Sequence, residues 1–294
     1  MNKHAEISLI LTAQDRIEDL KRFISSLLVQ SFKGKIELIF INQGTYQIDS
    51  DFKFPENIDY IPINIGHQIP LSHARNIGLK HATGEIVAFP DDDCWYGLNL
   101  LENVMDYFKK HKELDCICTN VYDPERKKSY GKRPTGVIKR IKFINLFILP
   151  SSVGIFIKLN ALDRIGRGFD ESLGAGTFLG SGEEMELISR LLLAKLKVEY
   201  VGGIQVFHPI LDYKETDCKK YYSYGLGFGY LNGKLVRFGH ITLLWYLSEI
   251  IARSTLGVIF NLRMPLKRQL YWKRLQGIAN GFICGLRGSL IGQS

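Results

Sequence analysis

Short, continuous apolar runs alternate with helical periodicity along the first 122 residues, and this alternation restricts the fold more than any other feature. Ile7–Thr12 reads as a buried strand, and Ile17–Gln30 follows with Leu20, Phe23, Ile24, Leu27 and Leu28 at helical spacing. Glu37–Ile41 and Ile58–Ile63 are further strands. Leu71–Ala82 has helical spacing and stops at Gly84. Glu85–Phe89 is another buried strand, Leu98–Lys110 an amphipathic helix, and Asp115–Val121 a strand. The order β-α-β-β-α-β-α-β implies an α/β fold, with a mostly parallel central sheet and helices on both faces.

Ligands of such sheets bind beyond the carboxyl ends of the strands. Three of these ends carry polar clusters: Gln14-Asp15-Arg16 after Thr12, Asn42-Gln43, and Asp91-Asp92-Asp93. They are expected to line one crevice. Three adjacent carboxylates repel one another unless a cation or strong donors neutralise them. Mg²⁺ is often held by one or two carboxylates together with substrate phosphates, so the triplet reads as a metal–phosphate site. The competing reading is a solvated turn before the next helix.

Further along, Glu125–Arg140 is basic and turn-rich, and Val153–Ile157 reads as a strand. Gly166–Gly182 holds six glycines in seventeen residues and reads as a mobile loop. Ser181–Lys195 reads as a helix opened by a capping box of Ser181 and Glu184. On it, Glu186 and Arg190 are spaced to pair. Val198–Val201 and Gln205–His208 are two short apolar segments. Five cysteines without a CxxC pair argue against a disulfide framework or zinc ribbon and read as structural thiols. Ile7–Leu11 is too short for the core of a signal peptide.

The charge is unevenly placed. Of 38 basic and 30 acidic residues, nine and one fall from Lys234 onward, which leaves 29 of each sign before it. The basic segment carries Trp245, Tyr246, Phe260, Tyr271, Trp272 and Phe282. Its longest apolar stretch, Ile241 to Leu262, is interrupted by Glu249 and Arg253, so no spanning helix is expected. A basic amphipathic helical extension over 233–294 follows. Its partner is an anionic membrane surface or, alternatively, a second subunit in a homo-oligomer. Nucleic acid is not expected, because no binding motif accompanies the charge.

Leu71-Ser72-His73-Ala74-Arg75-Asn76-Ile77-Gly78, followed by Gly84-Glu85-Ile86-Val87-Ala88-Phe89-Pro90-Asp91-Asp92-Asp93, resembles the signature of the family 2 glycosyltransferases. Gly168-Phe169-Asp170-Glu171-Ser172-Leu173, Glu183-Glu184-Met185-Glu186-Leu187-Ile188-Ser189-Arg190 and Val206-Phe207-His208-Pro209 resemble its later motifs, so the likeness runs from about Ile7 to Gly229. The resemblance implies a GT-A fold over 1–232, with a nucleotide-sugar half (1–122) and an acceptor half (123–232). It implies inverting transfer from a nucleotide-diphosphate sugar, with Mn²⁺ or Mg²⁺ as cofactor. By the match, Thr12, Asp15, Arg16, Asn42, Gln43, Arg75, Asp91 and Asp92 serve the nucleotide. Asp93 and His208 serve the metal, with the diphosphate as the other reading of His208. Glu184 takes the place of the catalytic base.

Two departures stand out. The family's second strand commonly ends in Asp-Asp-Gly-Ser, which here is Asn42-Gln43-Gly44-Thr45. Its catalytic Asp is Glu184, longer by one methylene. Asn and Gln can each donate and accept, so either can still meet a uracil edge in place of the aspartate. The resemblance thus implies a UDP-type donor, a glycan or lipid-linked acceptor of capsule or lipopolysaccharide synthesis, and a cytoplasmic enzyme peripheral at the inner face of the cell membrane. The rivals are a nucleotidyltransferase on a similar sheet and a non-catalytic membrane-surface partner of a polysaccharide assembly.

Overall fold

A computed structural model describes residues 4–210, 218–241 and 243–288. The chain divides into two compact units, one of residues 1–169 and 187–210, the other of 170–186 and 211–294. The extension expected over 233–294 belongs to the second unit; Thr242 and 289–294 lie outside the described residues.

The first unit realises the alternation. Its elements begin β1 (Ile7–Ala13), α1 (Ile17–Leu28), β2 (Ile36–Asn42), β3 (Ile58–Asn64), α2 (Leu71–Leu79), β4 (Ile86–Ala88), β5 (Trp95–Tyr96), α3 (Leu100–Lys110) and β6 (Cys116–Asp123). β1, β2 and β4 are buried along their whole length, as strands covered on both faces must be. Helix α1 buries Leu20, Phe23, Ile24 and Leu27 against them, the stripe its spacing predicts. After β6 come β7 (Lys128–Ser129), β8 (Ile138–Arg140), β9 (Ile155–Lys158), α4 (Leu159–Arg164), α5 (Glu183–Leu193) and β10 (Val198–Phe207).

The sheet order is β3-β2-β1-β4-β9-β6-β10-β5. β1 runs parallel to β2 and β4, β2 to β3, and β6 to β10. β9 lies antiparallel between β4 and β6, so the second half of the sheet is mixed. The two apolar segments at 198–208 are one strand: its pairing with β6 shifts register between Val201 and Gln205, across Gly202-Gly203. A Cβ on Gly202 would stand 2.5 Å from the Pro134 carbonyl oxygen, which is why the irregularity takes glycine there. The basic 125–140 segment forms the two short strands β7 and β8, on β6 and β10. All five cysteines are free thiols, and Cys94, Cys116, Cys118 and Cys284 are buried.

The second unit is led by α6 (Cys218–Arg237), α7 (Leu243–Phe260) and α8 (Pro265–Arg287). Helices α6 and α8 approach through glycines repeated every fourth residue: Gly225, Gly229 and Gly233 on one, Gly277, Gly281 and Gly285 on the other. A Cβ on Gly229 would stand 2.2 Å from the Ile278 carbonyl oxygen, and one on Gly281 2.0 Å from that of Leu226. Each glycine costs its helix about 1 kcal/mol relative to alanine. Close backbone contact offsets that cost. Gly281→Val is therefore expected to destabilise this unit by roughly 3 kcal/mol, the upper part of the overpacking range. Even Gly281→Ala should destabilise it despite the gain in helix propensity. Urea unfolding followed by far-UV circular dichroism checks both; an Ala variant more stable than the parent would refute the packing account.

Candidate active site

The carboxyl ends of β1, β2 and β4 supply the residues. Thr12 is buried and pairs in parallel with Asp91, which brings the first strand end to the aspartate triplet. Arg16, just before α1, spreads its fork over two carboxylates: Nη1 donates to Asp93 Oδ2 and Nη2 to Asp92 Oδ1. Its side chain is 52% exposed while that of Asp92 is 3% exposed, so the pair joins a half-open arginine to an enclosed carboxylate. Arg22 donates to the Asp93 carbonyl at 3.0 Å and lies 4.2 Å over the Trp95 ring.

The three aspartates have different surroundings. Asp91 accepts from Arg75 Nη2 at 2.8 Å. Burial pushes the Asp92 carboxyl up to about 6 against the pull of Arg16, with Asp93 and Asp91 adding to the rise. Burial also works on Asp93, but the hydrogen bond and charge of His208, with Arg16, outweigh it and hold that carboxyl at about 2. His208 Nε2 lies 3.1 Å from Asp93 Oδ1, and Nδ1 is 2.8 Å from the Pro209 carbonyl. Burial lowers the imidazole's affinity for a proton, yet the Asp93 contact leaves its pKa raised.

These atoms fit a divalent cation. A carbonyl partner on Nδ1 makes that nitrogen the donor and turns Nε2 toward the carboxylate, the arrangement that orients metal-ligating histidines. Carboxylate oxygen and imidazole nitrogen suit Mn²⁺ or Mg²⁺ completed by phosphate and water. Among the described residues no three His, Cys, Asp or Glu side chains converge as a ready cage.

Arg75 departs from its expected place. It is fully buried, 5.4 Å from the Phe169 ring and 5.9 Å from Phe89, so it cannot reach a phosphate from solvent. Its Nη2 instead holds the Asp91 carboxylate in place. Asn76, the next residue, donates from Nδ2 to the Phe169 carbonyl at 3.0 Å and accepts from the Phe169 N–H at 2.7 Å. The first signature block thereby fixes the start of the Phe169-Asp170-Glu171 motif.

Asn42 departs from its expected place too, whereas Gln43 keeps part of its amide available. Asn42 is buried; Nδ2 donates to the Tyr46 carbonyl and to Asn64 Oδ1, and Oδ1 accepts from the Gly44 N–H. It organises the turn. Gln43 Oε1 accepts from the Ile69 N–H at 2.7 Å, and its amide NH₂ has no hydrogen-bond partner among the described residues. Asp15 is exposed and meets the Thr45 N–H at 3.4 Å.

Glu184 belongs to the second unit. Gly182 takes the cap position of α5, accepting from the Glu186 N–H at 2.9 Å, and the Ser181 hydroxyl donates to the Tyr224 carbonyl at 3.2 Å. The helix therefore starts two residues later than the sequence suggests. Glu183 is buried and Glu184 is partly exposed, so Glu184 is the more accessible of the two carboxylates. In the glycine-rich loop before it all six glycines adopt positive φ, the region that favours glycine. At Gly180 (φ +68°) an added Cβ would also run into the Ser223 hydroxyl.

Sequence reasoning counted Lys234 with the basic surface. Its Nζ instead sits 3.2 Å from Asp170 Oδ2 and 3.3 Å from Glu186 Oε1, all within this unit. Burial raises the Asp170 carboxyl, but hydrogen bonds from Ser172 and the charge of Lys234 bring it below the usual range. Burial likewise opposes the Lys234 charge, yet Glu186 and Asp170 raise its pKa. The Asp170 contribution to stability is complete above the unfolded carboxylate pKa and is lost as pH falls through the lower folded value. That of Lys234 is complete below the unfolded lysine pKa and is lost as pH rises through the higher folded one. Lys234→Met is expected to cost roughly 2 kcal/mol at pH 7, below the range for a fully buried pair because solvent reaches this one. The difference from the parent should shrink as pH falls below 4, as read by urea midpoints. A constant difference across that range would contradict the linkage.

The model of glycosyl transferase family 2 matches residues 8–164, more than half of the chain. The minor teichoic acid biosynthesis protein GgaB of Bacillus subtilis (strain 168) is 30% identical over 228 residues. That match takes in 76% of this chain but spans only 23% of the relative's length. S. aureus TarS shares the fold, with a TM-score of 0.58 at 14% identity over 95% of this chain and 55% of TarS. S. aureus TarS 1–349 in complex with UDP-GlcNAc gives the same score and identity over 97% and 93%. The matched span contains β1, β2 and β4 with the polar strand ends described above: the chain belongs to glycosyl transferase family 2.

Proposed function

We propose that this protein is a metal-dependent inverting glycosyltransferase. It takes a sugar from a nucleotide diphosphate, with UDP the favoured carrier, and adds it to a glycan or lipid-linked acceptor of a cell-surface polymer. The observation that carries the reading is the end of β4, where Asp93 is held ionised between Arg16 and His208 beside the buried Asp92. The likeness to a protein named for teichoic acid biosynthesis favours a teichoic-acid-type polymer over the capsule or lipopolysaccharide expected from the motifs. Such acceptors place the enzyme at the inner face of the membrane.

Asp93 and His208 would hold Mn²⁺ or Mg²⁺, which offsets charge building on the departing diphosphate. Arg16, half-exposed, meets the same phosphates from the side of α1. Asp91, oriented by Arg75, accepts from the ribose. Gln43, through its amide NH₂, donates to a carbonyl of the base, a role its departure from the family's aspartate leaves open to it. In transfer, the acceptor oxygen bonds to the anomeric carbon as the bond to the diphosphate oxygen breaks. Glu184 takes the acceptor's proton. Its position in the first turn of a helix favours the ionised form a base requires.

Thermal stabilisation by UDP, dTDP, GDP and CMP, each with and without Mn²⁺ or Mg²⁺, tests the donor site. A ligand at 100 times its Kd stabilises by roughly 2.7 kcal/mol, about 5–10 °C for a chain of this size. A metal-dependent shift with UDP is the expected result; no shift with any nucleotide would remove the reading.

A further inference from the structure

Helix α7 presents a face without charge to solvent. Leu244, Trp245, Ser248, Ile251, Ala252, Thr255, Leu256 and Ile259 are all exposed, and at 100° per residue they form one continuous stripe. Phe260 extends it at the helix end; Trp245 is 76% and Phe260 80% exposed. The two polar members are already satisfied within the helix. Ser248 Oγ donates to the Trp245 carbonyl at 2.7 Å, and Thr255 Oγ1 to that of Ile251 at 2.9 Å. Hydroxyls turned back in this way suit an apolar solvent, where an unpaired polar group is costly. Glu249 and Arg253, 2.5 Å apart, pair at the edge of the stripe. The opposite side is occupied: Leu243, Tyr246, Leu247, Ile250 and Ser254 are buried, and the Gly257 backbone lies against the Tyr271 ring.

The charge beside this stripe has one sign. From Ile250 to Ser294 the sequence holds no Asp or Glu. Arg263, Lys267 and Arg268 are exposed where the chain turns from α7 into α8, next to exposed Leu262, Met264 and Trp272. An apolar cleft of about 520 Å³ shares Ile251 and Trp272 with the two surfaces and joins them. Length and composition alone would let α7 cross a membrane: it has 18 residues and a mean hydropathy of 1.4. Its packed inner side and its charge pair argue for lying flat instead.

We propose that α7 and the start of α8 form a peripheral membrane-binding face. The apolar stripe enters the acyl boundary of an anionic bilayer, Arg263, Lys267 and Arg268 meet its headgroups, and the cleft takes part of an acyl chain. This deepens the proposed function by naming the surface from which a lipid-linked acceptor is reached, and it rests on that reading only for its purpose. Basic side chains near an anionic surface contribute about fivefold each to partitioning. Burial of a large aromatic contributes on the order of tenfold or more.

The test is flotation of the full chain with phosphatidylcholine vesicles containing phosphatidylglycerol and with phosphatidylcholine vesicles alone, together with tryptophan emission. Preference for the anionic vesicles, weakened by salt and accompanied by a blue shift, is expected. The double variant Trp245→Glu, Phe260→Glu should lose about 100-fold or more in binding, and Lys267→Gln with Arg268→Gln roughly 25-fold. Both pairs are exposed, so retained nucleotide-dependent stabilisation shows that the variants are folded. Equal binding to both vesicle types, binding unchanged in the variants, or no binding would overturn the proposal. So would resistance to carbonate extraction, which marks a spanning helix. Self-association of the parent abolished by Trp245→Glu, Phe260→Glu would overturn it as well, by making the face a subunit interface. Vesicle binding without any nucleotide shift would instead remove the donor-site reading and leave the membrane face standing.

Discussion

Asp93→Ala is expected to lower sugar transfer by about 10³-fold or more and to abolish the metal-dependent part of UDP stabilisation. The loss of one preorganised charge stabiliser typically costs 10²–10³-fold, and this substitution removes a cation ligand as well. The carboxylate is held at about 2 by His208 and Arg16 against its own burial, so it is ionised at every pH at which the enzyme would work. Alanine also leaves His208 without the partner that raises its pKa. Arg16 keeps its bond to Asp92, so the strand end should not collapse. Asp93→Asn separates charge from shape: it preserves the volume and a hydrogen-bonding group but cannot neutralise a cation. If Asp93→Asn binds UDP with the parent's dependence on Mn²⁺ or Mg²⁺, the ligand assignment is wrong. Isothermal titration with UDP, with metal and with chelator, reads this directly.

Much of this arrangement was legible before the fold. Buried strands reveal themselves by continuous Ile, Val and Leu, and polar residues that follow such strands must emerge at one edge of a parallel sheet. The aspartate triplet, Arg16 and Thr12 therefore meet where the sequence puts them. What escaped was non-local. β9 reads as a strand, but nothing in Ile155–Lys158 announces that it inserts antiparallel between β4 and β6. Arg75 carries a charge, and charge suggests solvent. Only the folded chain shows it enclosed by Phe89 and Phe169 with Asp91 as its partner. Lys234 misled in the same way, because its neighbours Asp170 and Glu186 are 64 and 48 residues away in sequence. Asn42 resembles a base-reading residue, yet its amide is engaged by the turn it closes.

The glycines of the last helices are a different case, since their signal was present in the sequence. Three glycines spaced by four in Gly225–Gly233, and three more in Gly277–Gly285, are the pattern that lets two backbones approach. It went unread because glycine lowers helix propensity and each segment alone looks like a weak helix. The period, taken on both helices together, predicts their pairing. That pairing leaves α7 with one packed side and one apolar side in solvent.

Glu184→Gln is expected to lower kcat by about 10²–10⁴-fold, the usual contribution of a positioned general base, with nucleotide stabilisation unchanged. The substitution is nearly isosteric and removes only the capacity to accept a proton. A cost from the weakened helix N-terminus accompanies it, roughly 0.3–1 kcal/mol. A melting temperature lowered by no more than that excludes unfolding as the cause of lost activity. Glu184→Asp restores a carboxylate of the length found in the family and should recover part of the rate, whereas Glu183→Gln, at the buried neighbour, should not reproduce the kinetic defect. The comparison of kcat with UDP affinity decides among the readings. A fall in kcat alone marks a base acting on the acceptor. A parallel fall in affinity marks a donor-site residue. Full activity in Glu184→Gln would favour nucleotidyl transfer, in which carboxylates holding Mg²⁺ suffice and no base on this helix is needed.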